Sequence, residues 1–267
     1  MLYTQTNGIS MYYEEHGTGA PLVLIMGITA RGNVWEKHVE VWKTRFTCIT
    51  PDNRGVGLTD KPQGPYTSAM MADDYNGLLD YLGISQVRVV GCSMGSIIAQ
   101  QLALRHPERV RSMVLMCPWA RCDRYTRDVF RHLADSKARL RPEEFAAYIQ
   151  LLIFAKQSWD NNEFYQDMLD ARQQAAVDPM PQPLHALEAQ AAACADHNVL
   201  EELHNIQCPC LVIDGRDDAF TPSWMSEEIA QRIPQCQLHL YDHAGHAFHW
   251  ERIDDFNPRV LKWLVEH

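Results

Sequence analysis

Short, mostly apolar runs alternate along this chain with stretches in which apolar residues recur every three or four positions. Residues 22–26, 46–50, 87–90 and 110–116 form such runs, and the pattern returns at 210–213 and 238–241. A strand that is apolar at nearly every position is one covered on both faces, as in a parallel sheet. Residues 10–16 follow Thr6-Asn7-Gly8 and predict a strand of an opening hairpin. Residues 68–82 read as a helix capped by Ser68 and ended by Gly83. Ile97, Ile98, Leu102 and Leu104 mark a buried helix that stops near His106-Pro107. Strands and helices alternating in this way predict an α/β fold.

The rhythm changes after Pro118. From about residue 120 to 200 only helical periodicity is present, at 124–136, 142–154, 160–175 and 184–195. The strand pattern resumes at Cys210. The expected organisation is a core from residues 1–119 and 201–267, with a helical cap inserted at 120–200. Binding specificity is usually placed in insertions above a rigid scaffold. The cap is therefore expected to govern substrate choice and to contribute nothing to the catalytic groups.

Candidate chemistry starts where the run at 87–90 enters Gly91-Cys92-Ser93-Met94-Gly95. A strand leading into Gly-x-Ser-x-Gly, with a helix behind it, is a nucleophile elbow. The serine sits on a tight turn that pushes its hydroxyl outward. A histidine, Asp242-His243-Ala244-Gly245-His246, follows the run at 238–241. Acids, Asp214-Gly215-Arg216-Asp217-Asp218, follow the run at 210–213. All three places lie beyond the ends of predicted parallel strands, where open α/β sheets hold their sites. His243, His246 and His249 are spaced by three, but Gly245 and the preceding strand argue for a loop rather than a metal-binding helix face. Asp217 and Asp218 are adjacent, so both cannot point at one imidazole. Cys208-Pro209-Cys210 lacks the second pair that a structural zinc site needs.

Four segments in order resemble the α/β-hydrolase superfamily, in the branch of esterases, lactonases, carbon–carbon bond hydrolases and cofactor-free perhydrolases. Leu24-Ile25-Met26-Gly27-Ile28 looks like its oxyanion strand and loop, with Met26 where histidine is usual. Asp52-Asn53-Arg54-Gly55-Val56-Gly57-Leu58-Thr59-Asp60 looks like its Asp-x-Arg-Gly-x-Gly-x-Ser-Asp loop, with Thr59 for serine. The elbow at Ser93 is the third segment. Gly215-x-x-Asp218-x-x-x-Pro222 together with Gly245-His246 is the fourth. The resemblance covers nearly the whole chain. It implies a mostly parallel eight-stranded sheet with helices on both faces and a cap after the sixth strand.

It also selects Asp218 as the acid and His246 as the base for a Ser93 nucleophile. The oxyanion would be held by the backbone N–H groups of Ile28 and Met94. Trp119 and Phe248, next to strand ends, are expected in the substrate pocket, as are Phe154 and Trp159 from the cap. Asp52 and Arg54 are expected to brace their loop as ion pairs. No cofactor and no metal is implied. The expected activity is cleavage of a carboxylic ester of a small or medium, partly apolar substrate. Lactone, carbon–carbon and perhydrolysis reactions use the same triad. A hydrolase-like small-ligand receptor is the reading from another class.

Composition narrows the partners. The 267 residues carry 24 basic against 34 acidic side chains, a net charge of −10. That argues against nucleic acid or an anionic membrane as the main partner. Residues 1–19 are polar and mixed, unlike a signal peptide, and no run reaches membrane-spanning length. A cytoplasmic protein is expected, with its eight cysteines as free thiols.

Overall fold

The apolar runs become the strands of one sheet. The computed structural model describes residues 2–267. Among them the strands are β1 (Leu2–Thr6), β2 (Ile9–His16), β3 (Ala20–Ile25), β4 (Phe46–Pro51), β5 (Val87–Cys92), β6 (Val110–Met116), β7 (Cys210–Gly215) and β8 (Cys236–Tyr241). Their order is β1-β2-β4-β3-β5-β6-β7-β8. The opening hairpin pairs antiparallel, with Asn7 and Gly8 both at positive φ, and β2 pairs antiparallel with β4. From β4 to β8 every pairing is parallel.

The helices are α1 (Glu36–Trp42), α2 (Ser68–Tyr81), α3 (Met94–Arg105), α4 (Arg124–Lys137), α5 (Pro142–Ile153), α6 (Lys156–Trp159), α7 (Asn162–Ala176), α8 (Leu184–Asp196), α9 (Trp224–Ala230), α10 (Phe248–Glu251) and α11 (Ile253–Glu266). Helix α2 is capped by Thr67, whose side chain accepts from the Met70 N–H, and not by Ser68 as the sequence reading had it. Successive strand residues face opposite sides. Val23, Ile25, Val89, Leu115 and Val212 therefore pack beside Leu78, Ile97 and Leu102 in one core layer. Leu22, Leu24, Val90, Val114 and Ile213 pack beside Trp42, Phe256 and Val260 in the other. The central strands are thus apolar on both faces because helices cover both.

Helices α4 to α8 fill the interval between β6 and β7, after the sixth strand. Helix α8 presents Ala186, Ala189, Ala191 and Ala193 as buried small residues, which lets neighbouring backbone come close. No helix among the described residues is long and apolar enough to cross a membrane.

In the loop after β4, Arg54 forms the ion pair expected of it, and Asp52 forms none among the described residues. Arg54 does not pair with Asp52; its guanidinium makes a bidentate contact with Asp74 of α2, Nη2 to Oδ1 at 2.6 Å and Nε to Oδ2 at 2.9 Å. Asp52 instead accepts the backbone N–H groups of Gly32 and Leu58, both at 2.8 Å. Asp74 lies on α2, outside the loop motif.

Candidate active site

Strand β5 ends at Cys92 and α3 begins at Met94, so the chain must reverse at Ser93. It does so with φ 54° and ψ −118°, a conformation a side-chain-bearing residue adopts only under strain. The Ser93 N–H donates to the Met116 carbonyl at 2.9 Å, and Ser96 donates to the Ser93 carbonyl from its N–H and its hydroxyl. These bonds hold the turn. A Cβ on Gly95 would lie 2.0 Å from the Ile25 carbonyl oxygen, so only glycine lets α3 start this close to β3. The Ser93 hydroxyl is buried, has no hydrogen-bond partner among the described residues, and borders a cavity.

His246 reaches the same cavity from the loop after β8. Its Nδ1 lies 2.7 Å from Asp218 Oδ2. Asp218, on the loop after β7, has its other oxygen filled by the N–H groups of Phe220 and Thr221 at 2.7 and 2.9 Å. That fixes the carboxylate and makes Nδ1 the protonated nitrogen, leaving the Nε2 lone pair free to accept. The Cys117 thiol stands 3.5 Å from that Nε2. Burial pushes the Cys117 thiol well above its ordinary pKa, with Cys92 adding to the shift, so it stays protonated. Neighbouring Asp217 is exposed. Asp214 is fully buried, accepts from Ser226 Oγ at 2.6 Å and from the Gly215 N–H, and is structural; burial and then the charge of Asp218 raise its pKa well above the carboxylate range.

The cavity beside Ser93 holds about 200 Å³. Its walls are Ile28, Thr29 and Ala30, Leu133 of α4, Ile149 and Ile153 of α5, Phe220, and Ala247, His249 and Trp250. All four residues expected in the pocket lie outside this cavity. Trp119 is fully buried under the insertion, where its Nε1–H donates to the Cys194 carbonyl at 3.2 Å near the end of α8. Phe248 turns into the sheet-side core between Tyr241 and Phe256. Trp159 packs on Tyr165 and under the Arg172 guanidinium. Phe154 lines a separate, larger groove of about 930 Å³.

His243 and His249 diverge. His243 is exposed, and its Nδ1 accepts from the Gln157 amide at 3.3 Å. His249 is buried and belongs to a chain of neutral groups. The Asn257 Nδ2–H donates to the Lys37 carbonyl, which orients that amide so that Oδ1 accepts the His38 Nδ1–H at 2.6 Å. His38 Nε2 then accepts from His249 Nδ1 at 2.9 Å, and His249 Nε2 faces the Cys92 thiol at 4.0 Å. Burial lowers the His38 pKa to about 4 and puts His249 well below its ordinary range.

Among the described residues one group of three side chains could hold a metal ion: Cys117, Asp218 and His246, with ligand atoms within 4.8 Å of one another. Asp218 Oδ2 and His246 Nδ1 are already bonded to each other, which leaves these atoms poorly disposed for an ion.

A strained serine after the fifth strand, opposite a histidine–aspartate pair after the eighth and seventh, sits within a chain whose residues 20–253 match the family model described as alpha/beta hydrolase fold. The chain belongs to the alpha/beta hydrolase fold family. It is 33% identical over 263 residues to a protein of Mycobacterium tuberculosis named as a non-heme bromoperoxidase, BpoC, covering 96% of this chain and 98% of that one. It is 30% identical over 266 residues to a protein of Azorhizobium caulinodans named as a carbamate hydrolase, RutD, covering 100% and 99%. A thermophilic esterase from Thermogutta terrifontis has a similar structure, with a TM-score of 0.87 at 26% identity, covering 100% of this chain and 99% of that one.

In this hydrolase the insertion is bonded to the loops that carry the candidate groups. Thr29, at φ 68°, donates its N–H to Oε1 of Gln190 on α8 at 3.2 Å. Gln190 is fully buried; its Nε2 donates to the Arg54 carbonyl at 2.7 Å, and Gln182 donates to its Oε1 at 2.9 Å. Arg31, two residues on, pairs with Asp178 at 2.5 Å. On the histidine side, Glu251 accepts from the Ala155 N–H at 2.8 Å, from Ser158 Oγ at 2.5 Å and from the Gly245 N–H at 2.6 Å. The sequence reading missed Gln190 and Glu251. Each lies far along the chain from what it holds, and neither carries a motif. The Glu251 spacing from His246 could have been noticed, but not its partners across the insertion.

Proposed function

We propose that this protein is a serine hydrolase that cleaves small, uncharged carboxylic esters through Ser93, His246 and Asp218. The observation that carries the reading is the 2.7 Å Asp218–His246 bond, which aims a free imidazole nitrogen into the cavity that the strained Ser93 hydroxyl borders. A serine hydroxyl is a weak nucleophile at neutral pH and needs such a base. His246 Nε2 takes the Ser93 proton as Oγ attacks the carbonyl carbon. Asp218 holds the tautomer and stabilises the imidazolium that results. The N–H groups of Ile28 and Met94 receive the oxyanion. Met94 opens α3, and the first N–H groups of a helix have no acceptor within it. Proton return from His246 releases the alcohol, and water, activated by the same nitrogen, frees the acid from the acyl-enzyme.

The cavity supports the substrate class. Its lining includes no Lys, Arg, Asp or Glu among the described residues, so a charged acyl group would be desolvated without a partner. Its size falls below the roughly 300–1,000 Å³ usual for drug-sized ligands. Its walls come partly from α4 and α5, which supports a role for residues 120–200 as a cap that shapes the acyl site. The eight free cysteines support a reducing, cytoplasmic setting.

The test is hydrolysis of p-nitrophenyl acetate and butyrate beside labelling by a fluorophosphonate. The wild type should be labelled at Ser93 and turn over both esters. Ser93→Ala should lose labelling and at least a thousandfold in kcat, with its folding transition unchanged. Retention of hydrolysis within about tenfold would remove Ser93 from the mechanism.

A further inference from the structure

One side chain faces two spaces. Trp250 borders the cavity of about 200 Å³ beside Ser93, and it also borders the groove of about 930 Å³ between the insertion and the core. It is the one described residue common to both linings. The flanking chain divides between them. Ile153 and His249 face the cavity, while Phe154, the next residue after Ile153, and Glu251, the next after Trp250, face the groove. The indole is braced by the His249 ring, with centroids 4.4 Å apart, and by Phe154 at 6.4 Å. Phe164 meets Phe154 edge-on at 5.0 Å and continues the aromatic wall into the groove.

We propose that Trp250 sets the length of acyl group the enzyme accepts, by closing the cavity against the groove. The proposal rests on the reading of Ser93 as the nucleophile. An acyl chain that grows from the Ser93 ester meets the indole after a few carbons. The space behind is several times larger; Phe154, Phe164, Met168 and Ala171 give it one apolar side that would take an alkyl chain, beneath a charged rim that includes Glu36, Lys37, Asp167 and Asp254. It is out of reach while the indole stands. The residue that limits chain length is therefore on α10, next to His249, while the insertion supplies other walls of the acyl site.

The experiment compares kcat/KM for p-nitrophenyl acetate, butyrate, octanoate and decanoate in the wild type, Trp250→Ala and Trp250→Phe. The wild type should fall off steeply beyond butyrate. The octanoate-to-acetate ratio should rise at least tenfold in Trp250→Ala and less in Trp250→Phe, since each excluded methylene in an apolar pocket carries roughly a 10- to 200-fold penalty. Phe164→Asp added to Trp250→Ala should reverse the gain. A ratio unchanged within about twofold in both variants, or a wild type that already prefers decanoate, overturns the proposal. If neither wild type nor variant is labelled by a fluorophosphonate, it is the nucleophile assignment that has failed. The partition is then read from binding, by calorimetry with 1-butanol and 1-octanol. Octanol affinity at least tenfold higher in Trp250→Ala supports the partition, and equal affinities in the two proteins overturn it.

Discussion

The Cys117 sulfur sits 3.5 Å from Nε2 of His246, on the nitrogen proposed to accept the Ser93 proton. With Nδ1 committed to Asp218, that lone pair is the free acceptor on the ring, and among the described residues the thiol is the one group in hydrogen-bond contact with it. Ser93 Oγ meanwhile has no partner. The thiol and the serine hydroxyl therefore compete for one site. An S–H donor is weak, and losing it is worth about 0.5–1 kcal/mol. Cys117→Ala should raise kcat/KM about two- to fivefold on butyrate esters. A fall of more than tenfold would show that the sulfur orients the imidazole instead of distracting it.

The two adjacent acids separate cleanly in the structure, one buried on His246 and one in solvent. Asp218→Asn should lower kcat by a factor on the order of 10⁴, the effect of the wrong imidazole tautomer in such a triad. Asp217→Asn should stay within about threefold of wild type. Steady-state kinetics on one ester decides it, and the reverse ranking would transfer the acid role to Asp217.

Gln190 holds Thr29 in a backbone conformation that threonine resists, one residue from the proposed Ile28 donor. Removing an oxyanion donor outright costs about 10²–10³ in kcat. Loosening the loop that aims one should cost less. Gln190→Met, similar in volume but without the acceptor, should lower kcat about tenfold with KM little changed. An unchanged kcat in a folded variant would mean that the loop keeps its shape without the bond.

Acid should destabilise the fold through its buried histidines, with the raised carboxyls of Asp52, Asp74 and Asp214 acting in the opposite direction. Burial lowers His38 to about 4 and His197 to about 3, from an ordinary value of 6.5. The unfolded chain takes up these protons below pH 6.5 and the folded one does not, so stability falls as pH drops from about 6.5 towards 4. His38 alone accounts for roughly 3 kcal/mol across that window. Urea midpoints measured from pH 7 to pH 4.5 should fall steadily, and His38→Asn should flatten the curve. Equal midpoints at pH 7 and pH 5 in the wild type would refute this.

How far the sequence could be read depended on whether a signal was local. Ser93, Asp218 and His246 each follow a strand within a short motif, and the structure brings Asp218 and His246 into contact beside Ser93. The central strands were visible because both faces of the sheet are covered there. Side-chain direction was not visible. Trp119 lies three residues past β6 and Phe248 opens α10 beyond β8, yet both turn inward. A buried indole N–H needs an acceptor, and the Cys194 carbonyl supplies it from 75 residues away. Arg54 likewise finds Asp74 and not Asp52, because α2 packs where no local pattern announces it. Trp250 carried no signal, since its role depends on two spaces formed by segments remote in sequence.

The Glu251 carboxylate binds residues 155, 158 and 245 at once, and so limits how this chain can be recombined with its relatives. Cut points at 120 and 200 look natural, because they fall between the end of β6 at Met116 and the start of β7 at Cys210. A foreign segment spliced between them would arrive without a hydroxyl at 158 or a suitably turned amide at 155. Glu251 would then hold the Gly245 amide alone, with charge left over beside the histidine loop. Such chimeras should express and keep their sheet, and fail at the loop that carries His246. Position 251 belongs to the inherited unit of the insertion, though it lies more than fifty residues past its end, and grafts that carry the two together should be the ones that survive.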